Sequence, residues 1–226
     1  MKIFGHKITP FLISVISAVA VTVIILIISV SCAGNKLNFK TSFYFVCYAV
    51  EDNAISAGSV SGAVSNYGGA GYILGYGGKY YVTVSCYYRQ NDAETVCSGL
   101  KNRGLDCQVL EVLTDEYAFN SPSGRRNAEL YTGNFNTLLS LSKLAYDCAN
   151  ALDTGSMGQN EAKAVIKDVE SGVKGLLNAN PDNCFTMLLR NVLGECADAA
   201  DGYIYSKNLR RLQIAAADAI ISVKLY

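Results

Sequence analysis

Histidine is nearly missing from this sequence. Its one imidazole, His6, lies at the amino-terminal end of 226 residues. The rest of the chain therefore lacks the residue that general-base catalysis and hydrolytic zinc sites most often use. Cysteines spaced as metal ligands are missing as well. The eight cysteines (Cys32, Cys47, Cys86, Cys97, Cys107, Cys148, Cys184 and Cys196) include no CxxC or other close pair, so neither a metal nor a cofactor is expected. Charge is scarce: 17% of residues carry it, and nineteen Lys+Arg offset nineteen Asp+Glu. Residues 1–40 hold four lysines and no acid, but that positive charge flanks an apolar run and forms no basic stripe. Nucleic acid is not an expected partner. Carboxylates, lysines and cysteines remain, yet none sits in a local catalytic signature. The chain reads as a non-enzyme.

What is present begins with that apolar run. Residues 9–32 carry no charge, and residues 11–30 read FLISVISAVAVTVIILIISV. About 20 residues at 1.5 Å each match a bilayer core of roughly 30 Å, whereas the apolar stretch of a cleaved signal peptide is usually only ~7–15 residues. The run predicts a short cytoplasmic tail (1–10), a transmembrane anchor (11–32) and a linker (33–41). Lys2 and Lys7 precede it, and Lys36 and Lys40 follow it, a slight bias toward an inside amino terminus. Cleavage, or lipidation at Cys32 after Ser29-Val30-Ser31, is the rival reading. The expected protein is single-pass in the cell membrane, with its body outside the cytoplasm. Disulfides are permitted there, but one sequence does not give their connectivity. Several cysteines fall on apolar stripes and read as buried small hydrophobes.

The middle of the chain repeats itself. Shifting residues 43–76 by 36 positions lays them without a gap on 79–112, pairing Tyr44 with Tyr80, Val46 with Val82, Ala57 with Ala93, Val60 with Val96, Asn66 with Asn102, Gly68 with Gly104 and Leu74 with Leu110. Each unit reads strand, helix, strand. Residues 43–50 and 79–86 are rich in aromatic and β-branched residues. Ala57, Val60 and Val64, like Ala93, Val96 and Leu100, recur at helical spacing. Gly58 and Gly62 weaken the first helix, Asn91 or Asp92 is positioned to cap the second, and Gly77-Gly78 marks a turn between the units. Two such units make a β-α-β-β-α-β domain, a four-stranded antiparallel sheet with both helices on one face.

Strand alternation assigns the two faces. Val46, Tyr48, Ile73, Val82, Val84, Cys107 and Val109 should face the helices. Phe45, Cys47, Tyr72, Leu74, Tyr81, Thr83, Gln108 and Leu110 should line the other face. No element inside the repeat covers that second face, so it forms either a shallow aromatic and polar groove for a polymer or a seat for the C-terminal helices.

Residues 42–112, about a third of the chain, resemble the SPOR domain, the sporulation-related repeat of bacterial envelope proteins. The likeness rests on Tyr44-Phe45-Val46, its echo Tyr80-Tyr81-Val82, and the segment GLKNRGLD (99–106) before a closing strand. The resemblance implies binding of septal peptidoglycan, in particular peptide-stripped glycan strands, through Phe45, Cys47, Tyr72, Leu74, Tyr81, Thr83, Gln108 and Leu110. The family usually has Gln where Cys47 stands, and often a basic residue where Thr83 stands. Residues 41–120 carry four basic and eight acidic residues, a net of 4 − 8 = −4, which should favour glycan freed of its stem-peptide carboxylates.

After Pro122-Ser123-Gly124 the period changes from two to 3.6. Leu138, Leu141, Ala145, Cys148 and Leu152 form one stripe; Ala162, Val165, Val169, Val173 and Leu176 a second. Phe185, Leu188, Val192 and Cys196 form a third, and Leu209, Leu212, Ala216, Ala219 and Val223 a fourth. Short loops between them predict antiparallel helices in a four-helix bundle.

The expected fold class is therefore α+β: the anchor, a SPOR-like domain (42–120) and a helical bundle domain (121–226). The expected function is non-enzymatic recognition of peptidoglycan at a division or sporulation septum, with the bundle recruiting an envelope protein. The departures at Cys47 and Thr83 support a second reading, a protein-interaction scaffold whose sheet does not bind glycan.

Overall fold

The computed structural model describes residues 36–37, 39–114, 117–118, 124–179 and 184–223. Strand β1 (Lys36–Leu37) leads into β2 (Ser42–Glu51), α1 (Ala54–Asn66), β3 (Tyr72–Tyr76), β4 (Lys79–Tyr87), α2 (Gln90–Lys101), β5 (Gln108–Leu113) and β6 (Tyr117–Ala118). Four helices follow: α3 (Gly124–Asp153), α4 (Gln159–Ala179), α5 (Cys184–Ala200) and α6 (Ser206–Ile221). The main sheet has the order β3-β4-β2-β5, antiparallel throughout. The opening strands of the two repeat units thus sit in the centre and the closing strands at the edges. A two-residue ladder between β1 and β6 closes the chain around the repeat.

Local chemistry accounts for these elements. The Asn53 side chain accepts from the Ser56 amide at 2.9 Å and caps α1. Gly58 and Gly62 do not break that helix. A Cβ added at either would meet nothing, so both lie on its outer surface. Helix α2 starts earlier than expected, with Arg89 at its N-cap and no side-chain cap. Asn91 and Asp92 therefore lie in the first turn, where the Asp92 carboxylate meets the positive end of the helix dipole. Gly68 (φ 88°) and Gly104 (φ 80°) take the same left-handed turn after each helix, as their repeat positions require. Gly77 (φ 58°) and Gly78 (φ 78°) form the β3–β4 hairpin turn, whose two central residues both need positive φ.

The sheet separates two cores. On one face Val46, Tyr87, Ala93, Cys97 and Cys107 pack under α2, while Ala57, Val64 and Val82 pack under α1. On the other, Phe43, Phe45, Cys47, Tyr72, Leu74 and Cys86 join a continuous core with Phe135, Leu138, Leu189, Leu209, Leu212 and Ile220 of the helical region. The helices run α3–α4–α5–α6, and α6 returns against α3 to close the ring. Helix α6 is the ring member that also packs on β3 and β4. Leu209, Leu212, Gln213, Ile214, Ala215, Ala216, Ala217, Ala219 and Ile220 are all buried in it, which is burial all round and not along one stripe. Its alanines let it approach both layers closely.

Of the two uses expected for the second face, the seat is the one found: α6 and the helices behind it cover it, so repeat and helical region share one core. The membrane architecture is corrected. Among the described residues, no helix is long and apolar enough to cross a membrane. The 30-residue α3 has the length, but Lys143, Asp147 and Asp153 interrupt its apolar pattern. The expected membrane-anchored, single-pass architecture is therefore replaced by a mixed α and β fold of sheet and helices. The expected anchor, 11–32, and tail, 1–10, lie outside the described residues.

Candidate functional site

The structure brings the eight expected glycan-binding residues onto one face of the sheet, but most are out of reach of solvent. Phe45, Cys47, Leu74 and Thr83 are wholly buried, and Tyr72 retains 9% exposure. Tyr81 and Leu110 are half-buried against the same core. Gln108, at the start of edge strand β5, is exposed. Thr83 turns its hydroxyl inward and donates to the Tyr72 carbonyl at 2.9 Å. A hydroxyl used this way is not offered to a sugar.

Helix α6 holds that face through a seam of polar contacts. Lys207 Nζ donates to the Ser65 carbonyl at the end of α1, 3.0 Å away. One turn on, Arg211 donates through Nε to Glu195 Oε2 at 2.6 Å and through a terminal nitrogen to the Gly71 carbonyl at 3.3 Å. Its guanidinium also lies 5.7 Å from the centre of the Tyr72 ring. Gln213 Nε2 donates to the Cys86 carbonyl at 2.9 Å, and the Tyr72 hydroxyl donates to Asp218 Oδ2 at 2.7 Å. Ser142 of α3 donates to the Gln213 carbonyl and meets the Tyr88 hydroxyl at 2.7 Å. Lys207, Arg211, Gln213 and Asp218 of α6 thus each bond to the repeat.

Burial sets the electrostatics of this seam. It raises the Asp218 carboxyl above its ordinary range, against the opposing pull of hydrogen bonds from Ser222 and Tyr72. Burial first, and the nearby Asp218 charge second, hold Tyr72 as a neutral phenol. Burial likewise pushes the Cys47 thiol up to about 12 and raises Cys86. Both stay protonated at neutral pH, which makes them packing groups and poor nucleophiles. The described residues contain no group of three or more His, Cys, Asp or Glu side chains placed to hold a metal ion.

Two other surfaces stand out. A polar cleft of about 380 Å³ runs between the β3 edge and α5, lined by Ser61, Tyr72, Arg190, Asn191, Glu195 and Arg211 among others. Just before α6, Tyr203 and Tyr205 are 63% and 56% exposed, with ring centres 4.9 Å apart. Lys207 reaches over the Tyr205 ring at 5.7 Å while bonded to α1. These residues escaped the sequence reading. The signal for α6 was present: Ile214, Ala215, Ala217 and Ile220 widen its apolar arc well beyond the expected stripe.

No family model and no curated protein matches the chain. Among solved structures, it is similar to the solution structure of the peptidoglycan binding domain of the B. subtilis cell wall lytic enzyme CwlC. The match has 23% sequence identity over 33% of this chain and 92% of that one, with a TM-score of 0.28.

Proposed function

We propose that this chain is a non-catalytic interaction scaffold in which a SPOR-like repeat grips its own helical region through the face that would otherwise take glycan. The observation that carries the reading is the full burial of Phe45, Cys47, Leu74 and Thr83, the first three in one core with the helical region. Magnitudes favour a lasting cover. Exposing Phe43, Phe45 and Leu74 alone costs about 1.5–3 kcal/mol each, or roughly 5–9 kcal/mol together. A ligand of micromolar affinity supplies about 8 kcal/mol in all. Glycan would have to spend nearly its whole binding energy on opening the sheet. The exposed Tyr203–Tyr205 pair, with Lys207 over the Tyr205 ring, supports a protein partner on the helical side, since aromatic anchors dominate such contacts.

A second reading keeps peptidoglycan as ligand but confines it to the uncovered end of the face. It rests on the remaining accessibility of Tyr81, Gln108 and Leu110. Co-sedimentation of the protein with purified sacculi, intact and amidase-treated, separates the two. The scaffold reading predicts no saturable pelleting with either. Saturable pelleting that Tyr81→Ala and Gln108→Ala abolish would overturn it in favour of the second.

A further inference from the structure

We propose that Cys97 and Cys107 form a disulfide that ties α2 to the start of β5. Their Sγ atoms face each other 2.6 Å apart, and Cys107 Sγ also lies 3.1 Å from the Cys97 carbonyl. The two sulfurs are brought together by the fold itself. Cys97 lies in the last half of α2, and Cys107 sits where the chain enters β5, both enclosed with Val46, Tyr87 and Ala93. The repeat supplies an independent argument. Shifted by 36 positions, Cys97 and Cys107 correspond to Ser61 and Gly71, and in the first unit the Ser61 hydroxyl donates to the Gly71 carbonyl. Both units therefore carry a link between helix and closing strand at the same place. In the first it is a hydrogen bond reinforced by Arg211 from α6; the second, at the opposite edge of the sheet, has the cysteine pair.

A cleft of about 290 Å³, lined by Tyr48, Val50, Asp106, Cys107 and Gln108, reaches Cys107. The oxidant is a disulfide-bearing thiol oxidant, such as an exchange catalyst or glutathione disulfide. The Cys107 thiolate attacks one of its sulfurs and releases one thiol. Cys97, losing its proton, then attacks Cys107 Sγ and releases the second. Two protons and two electrons leave the pair, and one oxidant disulfide becomes two thiols. Burial raises the Cys107 thiol to about 12, so closure at neutral pH is slow without a catalyst.

The test is peptide mapping of the folded full chain after equilibration with glutathione disulfide and alkylation without reduction. Trypsin cuts after Lys101 and Arg103, between the two cysteines, so the bridged form holds residues 90–101 to the peptide that begins at Gly104 until reductant is added. We expect that linked pair, and a melting temperature about 5–10 °C above that of the reduced protein. Cys97→Ala/Cys107→Ala should melt with the reduced wild type and ignore oxidant. Full alkylation of both cysteines in the oxidised folded chain, or a bridge from either to another cysteine, would overturn the proposal. The map is read on wild type, so the outcome does not depend on the double variant folding.

Discussion

The two halves of the repeat share a backbone and differ in what holds them down. Position by position, Phe45 corresponds to Tyr81, Leu74 to Leu110 and Tyr72 to Gln108. In the first half these side chains join the core of the helical region: Phe45 and Leu74 are wholly buried, and the Tyr72 hydroxyl is bound by Asp218. In the second half Tyr81 and Leu110 remain half-exposed and Gln108 faces solvent. The β-α-β backbone is indifferent to this choice, since both units turn at an equivalent left-handed glycine and both lay their helices on the same face. Cys47 and Thr83, also equivalent, are both wholly buried, and Cys86 of the second half joins the shared core, so the difference is confined to these three pairs of side chains. The repeat builds the sheet, and its asymmetry aims it.

That asymmetry is measurable. Phe45→Ala should cost about 3–5 kcal/mol of unfolding free energy in urea titrations, the range for deleting a buried aromatic. Tyr81→Ala should cost less than half as much. Leu74→Ala should follow at about 2–5 kcal/mol, with Leu110→Ala below it. Equal losses within either pair would break the comparison. Tyr72→Phe keeps the ring and removes one hydrogen bond to a carboxylate, an expected loss of about 1.5–3 kcal/mol. Gln108→Ala should stay within about 0.5 kcal/mol, as exposed substitutions do.

How much of this could be read from the sequence depends on the range of the signal. Strand alternation is local, and it placed Val46, Ile73, Val82, Val84, Cys107 and Val109 on the helix side as found. It missed the irregular pairing of Cys47 and Ala49 with β4, which turns Ala49 to that same side. Alternation says nothing about what covers a face. Phe45 and Leu74 share a core with Leu209, Leu212 and Ile220, well over a hundred positions away, on a helix whose own stripe accounts for only one of its two packing surfaces.

Smaller effects sharpen the picture at the seam. Asp218 has its carboxyl raised by burial, so the folded state favours its protonated form. Its contribution to stability is therefore fully present below the ordinary carboxylate value of about 4 and fades as pH rises through the raised folded value. Melting curves of wild type and Asp218→Asn should show wild type losing ground between those points, with the variant flatter. The smallest contrast lies in the turns. Gly68→Ala and Gly104→Ala should each cost about 1–2 kcal/mol, the penalty of a Cβ in the left-handed region. Their equality would show that the halves differ in cover and not in backbone.

Native-state thiol labelling tests the closed face most directly, because Cys47 and Cys86 sit on it at 0% exposure. With iodoacetamide and mass mapping on the folded wild type, both cysteines should stay unmodified until the protein is globally unfolded, at any urea concentration below the transition. If instead Cys47 and Cys86 are labelled at the rate of a free thiol while the protein keeps its folded circular dichroism, the helices do not close the sheet. The face would then be open to a ligand after all.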